Sequence, residues 1–118
     1  MPYSQALAER VRRAVPQVVG GGVSGGVRGL VEKKMFGALC FMLDGNLLVG
    51  VMGTSLIARL GIDAAANALA EVYVTPFPPS GRPMRGWVTV DADGIDTERQ
   101  LRSWIERALR FVETLPAK

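Results

Sequence analysis

Histidine is absent from this chain of 118 residues, and cysteine occurs once. Without an imidazole, a serine or cysteine nucleophile lacks the base that the usual hydrolytic triads need. One thiol and no imidazole are also too few soft ligands for a zinc site, so we expect no metal and no other cofactor. These absences argue against the commonest hydrolases and zinc proteins, and we expect no catalytic residues.

The single cysteine, Cys40, has no partner for a disulfide within the chain, which favours a reducing compartment. It lies between Leu39 and Phe41, so we expect a buried thiol with a raised pKa and low reactivity. Long apolar runs are missing too, because Asp44 and Asn46 interrupt the longest one before the ~18 residues that a membrane span requires. No apolar core of a signal peptide is evident, so a cytoplasmic protein without a membrane segment is expected.

The composition, 48% apolar and 21% charged, is typical of one compact domain, here residues 1–118. A net charge of +3 permits contact with an anion but is far below the charge density of a dedicated nucleic-acid arm. The glycine-rich segment 20–29 predicts a flexible loop. This segment contains the letters G-x-S-x-G around Ser24, but in a chain without histidine that serine has no imidazole base.

Amphipathic helices are predicted near both ends of the chain. Ser4 can cap the first helix, and Pro16 is expected to end it. Its core face consists of Leu7, Val11, Ala14 and Val15. Thr97 and Gln100 form a capping box at the start of the last helix. The wide apolar stripe of that helix consists of Leu101, Trp104, Ile105, Ala108, Leu109 and Val112.

Short apolar runs with strand character fill the first half of the chain between the glycines and residue 60. The residues Asp44-Gly45-Asn46 tolerate positive φ angles, so they predict a tight hairpin turn between two of these strands. The strands of this meander are expected at Val27–Lys34, Leu39–Leu43, Leu47–Met52 and Leu56–Leu60.

After the meander a short helix is predicted at Ala64–Ala70, capped by Asp63. Strand character ends at Val74, the prolines of residues 76–83 predict a turn-rich surface path, and Arg85–Asp91 alternates as a last strand. This order predicts a two-layer α+β domain. Its antiparallel sheet is a meander plus one or two later strands, with an N-terminal helix, a short middle helix and a long C-terminal helix.

Both faces of the second predicted strand are apolar, because Leu39, Phe41 and Leu43 alternate with Cys40 and Met42. A sheet with one solvated face would alternate apolar with polar residues, so we expect something to cover the second face. The cover is either a helix of the same chain or a second subunit. In the second case Cys40 and Met42 are candidate residues of a homodimer interface.

Cationic side chains lie near the most distinctive segments of the chain: Lys33, Lys34, Arg59, Arg82 and Arg85. On one shared face they would form an anion or phosphate site, or another interaction surface. The alternative is a set of scattered, solvated charges, because strand alternation places Lys33 and Lys34 on opposite faces.

Several segments, in this order, resemble a known family. They are Lys34-Met35-Phe36-Gly37, the turn Asp44-Gly45-Asn46, Arg59, and Gly81-Arg82-Pro83-Met84-Arg85-Gly86-Trp87, followed by the terminal amphipathic helix. With this spacing, nearly the whole chain resembles the N-terminal domain of the TfoX/Sxy family of bacterial competence regulators, as a stand-alone domain. The resemblance implies a cytoplasmic activator that promotes competence genes alongside a cyclic-nucleotide receptor protein, without a catalytic centre.

We therefore expect a non-enzymatic protein-interaction domain, an adaptor or regulator of transcription. Its expected partners are a second copy of the chain, in a homodimer, and a transcription regulator or polymerase component. A nucleic-acid-binding protein that uses the scattered lysines and arginines is the alternative, and its binding would weaken steeply with salt. A small-molecule-binding protein or enzyme is the third reading, which a deep pocket lined by Lys34, Arg59 and Arg85 would favour.

Overall fold

In the computed structural model, which describes residues 3–20, 29–35, 37–78 and 81–116, three helices pack on one face of a six-stranded antiparallel sheet. The strands are β1 (Leu30–Met35), β2 (Ala38–Leu43), β3 (Asn46–Met52), β4 (Ser55–Arg59), β5 (Val74–Pro76) and β6 (Trp87–Val90). The helices are α1 (Gln5–Gly20), α2 (Ile62–Ala68) and α3 (Glu98–Val112). Their layering confirms the predicted α+β fold. Residues 21–28, most of the predicted glycine-rich loop, lie outside the described residues.

The order of strands across the sheet is β1-β2-β3-β4-β6-β5. The first four strands form the predicted meander, and both later strands join its β4 side. The end of β4 therefore lies next to the start of β6, where Arg59 pairs with Trp87. Helix α3 packs over β3 and β4 and against α1.

The turn between β2 and β3 has the predicted hairpin geometry. Asp44 and Gly45 have positive φ angles of 51° and 84°, and Leu43 pairs with Asn46 across the turn. Such a two-residue turn twists in the same sense as the strands that it joins. The buried Asn46 side chain donates a hydrogen bond of 3.0 Å from Nδ2 to the carbonyl oxygen of Pro116, so the hairpin is tied to the segment after α3.

The first helix is longer than its sequence predicts. The prediction that Pro16 ends it is wrong, because α1 continues to Gly20. A proline inside a helix cannot donate the backbone hydrogen bond of its position. Val15, however, is fully buried, and Val18 and Val19 pack against the core. Apolar burial on both sides of the proline therefore offsets the missing bond.

The segment after β4 differs from its prediction in its helix and in its strand. Helix α2 spans Ile62–Ala68, two residues earlier than the predicted Ala64–Ala70. Gly61, and not Asp63, is the N-cap of α2, and Asp63 lies in the first turn, where its negative charge suits the helix dipole. Strand β5 begins at Val74, where it was expected to end. Val74 is buried in the core and pairs with Val90, whereas Val72 is exposed.

The last strand and the last helix agree with their predictions. On β6, Val88 and Val90 are buried under the helices, and Trp87 packs on the other face of the sheet. Thr97 and Gln100 form both hydrogen bonds of the capping box at the start of α3. The residues of the predicted stripe in the core are Leu101, Trp104, Ile105, Ala108 and Val112, with Leu109 partly buried beside them.

Candidate functional site

The face of the sheet opposite the helices, called here the second face, is apolar. Alternation along β2 places Leu39 and Phe41 under the helices and Cys40 and Met42 on the second face, where Ile57 of β4 joins them. No helix of the described residues lies on the second face. The segment between β5 and β6 covers part of the second face. This cover was not predicted, because only a helix of the same chain or a second subunit was expected from the sequence.

Methionines line a groove in the second face, which we call the methionine groove. It encloses about 210 Å³. Its buried floor contains Ala38, Cys40, Leu47 and Ile57, and its walls contain Met35, Met42, Met52, Phe77, Met84 and Trp87. Methionine side chains are unbranched and adapt their shape to what they touch. The groove is therefore suited to an apolar partner.

One wall of the methionine groove is built by the segment after β5. Phe77 is buried and stacks on Trp87, with 5.9 Å between the ring centroids. The backbone N–H of Met84 donates to the carbonyl oxygen of Phe77 at 2.7 Å, and the N–H of Trp87 donates to that of Met84 at 3.3 Å. These contacts hold Met84 at the rim of the groove, where it is 44% exposed.

Cys40 lies in the floor of the methionine groove and is buried. Burial raises the pKa of its thiol, because a thiolate loses its hydration there. A neutral thiol contributes a small apolar contact to the floor. The predicted burial of Cys40 is thus confirmed.

A second concavity, which we call the arginine cleft, encloses about 640 Å³ beside the groove. It lies where the end of β4, the first turn of α2, the start of β6 and the outer side of α3 meet. Its charged lining consists of Arg59, Asp63, Arg85, Arg107 and Arg110. Arg59 and Trp87 line both concavities, so the groove and the cleft share a wall.

Arg59 is held between two aromatic rings. Its guanidinium carbon lies 5.3 Å from the ring centroid of Trp87 and 5.6 Å from that of Phe111. Trp87 comes from the neighbouring strand and Phe111 from α3. The attraction between a cation and the faces of aromatic rings therefore fixes this charge where the sheet meets the helix.

Arg107 is already engaged within the protein. Its Nη1 and Nη2 donate to the two carboxylate oxygens of Glu71 at 3.2 Å and 2.7 Å. Its guanidinium also lies 4.0 Å from the ring centroid of Trp104. By contrast, in the part of the chain that the structure describes, no carboxylate lies within ion-pair distance of the other three arginines of the cleft.

Two of the five predicted cations come together in the structure. Arg59 and Arg85 line the arginine cleft. Lys33 and Lys34 are exposed on β1 and point to opposite faces of the sheet, as strand alternation predicts. Arg82 is exposed and lies outside the cleft. The five cations therefore do not share one face, and Lys34 does not join Arg59 and Arg85.

Four residues that complete the arginine cleft were not predicted from the sequence. Arg107, Arg110 and Phe111 recur at helical spacing beside the buried stripe of α3, and Thr114 lies in the turn that follows the helix. This row of cationic and aromatic residues is visible in the sequence. Its position against Arg59 is not, because it depends on where α3 packs on the sheet.

Two further observations concern cofactors and membranes. Within residues 3–20, 29–35, 37–78 and 81–116, no three acidic or cysteine side chains are grouped so that they could hold a metal ion. No helix in the same residues has the length and apolar character to cross a membrane.

Comparison with known families confirms the resemblance that was predicted from the sequence. The model of the TfoX N-terminal domain matches residues 24–112. The chain belongs to the TfoX N-terminal domain family. Comparisons with curated proteins and with solved structures found no match.

In this TfoX N-terminal domain the two concavities fall within the matched residues, except for Thr114 of the cleft, which follows the match. The match runs from before β1 to the end of α3, so it includes the methionine groove and all four arginines of the cleft. Helix α1 precedes the match and packs on the helical side of the sheet. The matched segment of this chain therefore contains the methionine groove and nearly all of the arginine cleft.

Proposed function

We propose that this TfoX N-terminal domain is a non-enzymatic protein-interaction domain, an adaptor in transcriptional regulation that binds its partner in the methionine groove. The observation that carries the proposal is the apolar methionine groove on the second face, whose methionine walls are partly exposed, although all three helices already pack on the other face. An apolar concavity with adaptable, partly exposed walls is typical of a surface that binds a partner. The regulatory role is what the family resemblance implies.

The charges around the groove indicate the chemistry of the partner. Lys33 on β1 and Arg59 on β4 point to the second face on either side of β2 and β3. In the described strands, no aspartate or glutamate points to this face. The proposed partner is therefore a short apolar segment flanked by acidic residues, carried by a transcription regulator or a polymerase component.

A second copy of the chain suits the groove less well. Two copies related by a twofold axis present the same face to each other. Both would then bring Lys33 and Arg59 to the contact, without a carboxylate from the second face to pair with them. The homodimer expected from the sequence is thus a distinct outcome, which light scattering at high protein concentration detects.

Affinity capture from a lysate of the source organism, with and without nuclease, tests the proposal. Met84→Glu places a carboxylate at the rim of the groove, where it repels an acidic partner and weakens apolar contact. We expect this change to reduce capture about tenfold or more. Val72→Glu is the matched control, because Val72 is 77% exposed and lies outside the groove. Circular dichroism verifies that both variants fold.

The proposal is supported when capture survives nuclease, depends on Met84 and not on Val72, and a cross-linked partner peptide has acidic residues beside its apolar anchor. Nucleic acid in the captured material, with proteins that are lost on nuclease treatment, would favour the nucleic-acid alternative. Equal losses in the two variants would show that the introduced charge, and not the groove, governs capture. A stable dimer that Met84→Glu dissociates would replace the acidic partner with a second copy.

A further inference from the structure

The arginine cleft has an excess of positive charge. Glu71 neutralises Arg107 through two hydrogen bonds. The remaining charged residues of the lining are Arg59, Arg85 and Arg110 against Asp63. Three positive charges against one negative charge leave an excess of two. A phosphate monoester carries a charge of about −1.5 to −2 near neutral pH, so its charge matches the cleft.

One of these arginines is positioned in advance of any ligand. The rings of Trp87 and Phe111 hold the guanidinium of Arg59, so a ligand need not order this side chain when it binds. Arginine presents planar N–H donors that suit phosphate oxygens, and such charge-assisted hydrogen bonds are among the stronger ones in proteins. Arg85 and Arg110 are exposed and can close on the same anion from the β6 side and the α3 side.

The aromatic rings of the cleft already contact other residues of the protein. Trp87 lies between Arg59 and Phe77, because β6 lies between β4 and β5. Phe111 contacts Arg59 and packs so closely on Gly61 that a Cβ atom added there would lie 2.6 Å from its ring. The rings therefore hold the arginine and the backbone, and a ligand is recognised by charge and not by the stacking of a base.

The other polar residues of the lining indicate which groups the ligand carries besides its phosphate. Asp63 and Thr114 can accept hydrogen bonds from hydroxyl groups of a ligand, whereas the Thr114 hydroxyl already donates its own proton to the carbonyl oxygen of Phe111 at 2.6 Å. The cleft volume of about 640 Å³ lies in the range of small-molecule sites. A carboxylate in the same lining as the arginines would repel a bare phosphate, but it favours a phosphate whose carbon skeleton carries hydroxyl groups.

We propose that the arginine cleft binds a small hydroxylated phosphate monoester, the class that includes phosphorylated sugars and polyols. The proposal concerns binding alone, and it does not depend on the methionine groove being the docking surface. A nucleic-acid backbone fits the cleft less well, because each internal phosphate carries one negative charge and bases find no open ring to stack on.

Isothermal titration calorimetry at low salt tests the proposal, with glycerol phosphate as the probe. We expect one molecule to bind per chain, more tightly than inorganic phosphate, and glycerol alone to give no heat of binding. Oligothymidylate serves as the nucleic-acid control and is expected to bind more weakly than glycerol phosphate.

Two arginines of one segment provide matched variants. Arg85→Ala removes a cation of the cleft, and we expect it to weaken glycerol phosphate binding about tenfold or more. Arg82→Ala removes the same charge three residues earlier, outside the cleft, and we expect it to leave binding unchanged. Asp63→Asn is expected to reduce the preference for glycerol phosphate over inorganic phosphate, because it weakens the acceptor for the hydroxyl groups.

The absence of glycerol phosphate binding at low salt would overturn the proposal. Equal losses in Arg82→Ala and Arg85→Ala would also overturn it, because binding would then follow overall charge. Tighter binding of oligothymidylate, reduced equally by both variants, would identify a nucleic-acid surface instead. Equal affinity for glycerol phosphate and inorganic phosphate would show that the cleft recognises the phosphate alone, and it would overturn the part of the proposal that concerns the hydroxyl groups.

Discussion

Gly61 lies at a position that a residue with a side chain would occupy only with strain. Its φ angle is 88°, in a region that L-residues rarely adopt, and its Cα faces the ring of Phe111 at close range. The residue thereby lets the first turn of α2 approach the end of α3. This close approach forms one side of the arginine cleft.

We expect Gly61→Ala to lower the free energy of unfolding by more than about 1 kcal/mol, because it combines backbone strain with a clash. Gly81→Ala is the matched control, since Gly81 has a φ angle of 89° and nothing within 4 Å of an added Cβ atom. Urea denaturation of both variants measures the difference, which isolates the contact with Phe111. Equal losses would mean that backbone strain alone explains the glycine.

The buried thiol of Cys40 has consequences that titration can reveal. Burial raises its pKa, so at a given alkaline pH the native protein holds less thiolate than free cysteine does. We expect the native protein to react with Ellman's reagent much more slowly than the urea-unfolded chain between about pH 7 and 9. Rapid reaction of the native protein at neutral pH would contradict the buried position in the groove floor.

A bidentate ion pair joins α1 to the edge strand β1. Nε and Nη2 of Arg12 donate to the two carboxylate oxygens of Glu32 at 2.7 Å and 2.9 Å. Arg12 also pairs with Glu9 of its own helix, and Arg10, two residues earlier in α1, pairs with Glu98 of α3. Arginines on the outer side of α1 thus connect the helix to its neighbours on both sides.

The hydrogen bonds and the charge of Arg12 hold the pKa of Glu32 below its ordinary value, against the opposing effect of burial. A carboxyl with a lowered folded-state pKa stabilises the protein above its unfolded-state pKa, and this contribution is lost as the pH falls through the folded-state pKa. Both side chains are partly exposed, so we expect the pair to contribute below about 1 kcal/mol at neutral pH.

We therefore expect Glu32→Gln to lower stability slightly at neutral pH and to flatten the loss of stability on acidification. Chemical denaturation at a series of pH values measures this dependence. Glu106→Gln serves as the control, because Glu106 is exposed on α3 and has no ion pair among the described residues. If the two variants follow the same pH curve, the pair does not contribute.

The whole domain has its helices on one face of the sheet, the methionine groove on the second face, and the arginine cleft beside the groove. The methionine groove and the arginine cleft meet at Arg59 and Trp87. An occupant of either concavity therefore contacts the same wall. Any coupling between the two occupants must be reciprocal, since it is a free energy shared by both binding events.

Arg59→Ala is expected to weaken both glycerol phosphate binding and partner capture, because it removes a cation from the cleft and a support for Trp87 from the groove. Arg85→Ala is expected to affect the phosphate alone, and Met84→Glu the partner alone. Calorimetry and quantitative capture on the same preparations provide the two readouts. If Arg59→Ala leaves either readout unchanged, the shared wall does not link the two surfaces.

Short-range patterns were sufficient for much of this fold. The hairpin turn at Asp44 and Gly45, the capping box at Thr97 and the alternation in β2 each depend on residues within a few positions of one another. Their conformations follow from local sterics and local hydrogen bonds. For the same reason the family could be recognised from the order and spacing of such segments.

Long-range packing determined the remaining features. Pro16 is tolerated inside α1 because Val15 before it is buried by distant residues, and Val18 and Val19 after it pack against the same core. The segment that carries Phe77 covers part of the second face because β5 joins the sheet beyond β6. Arg59, Arg85 and Arg110 come together because β4 pairs with β6 and α3 packs over β4, contacts whose free energy depends on residues far apart in the chain.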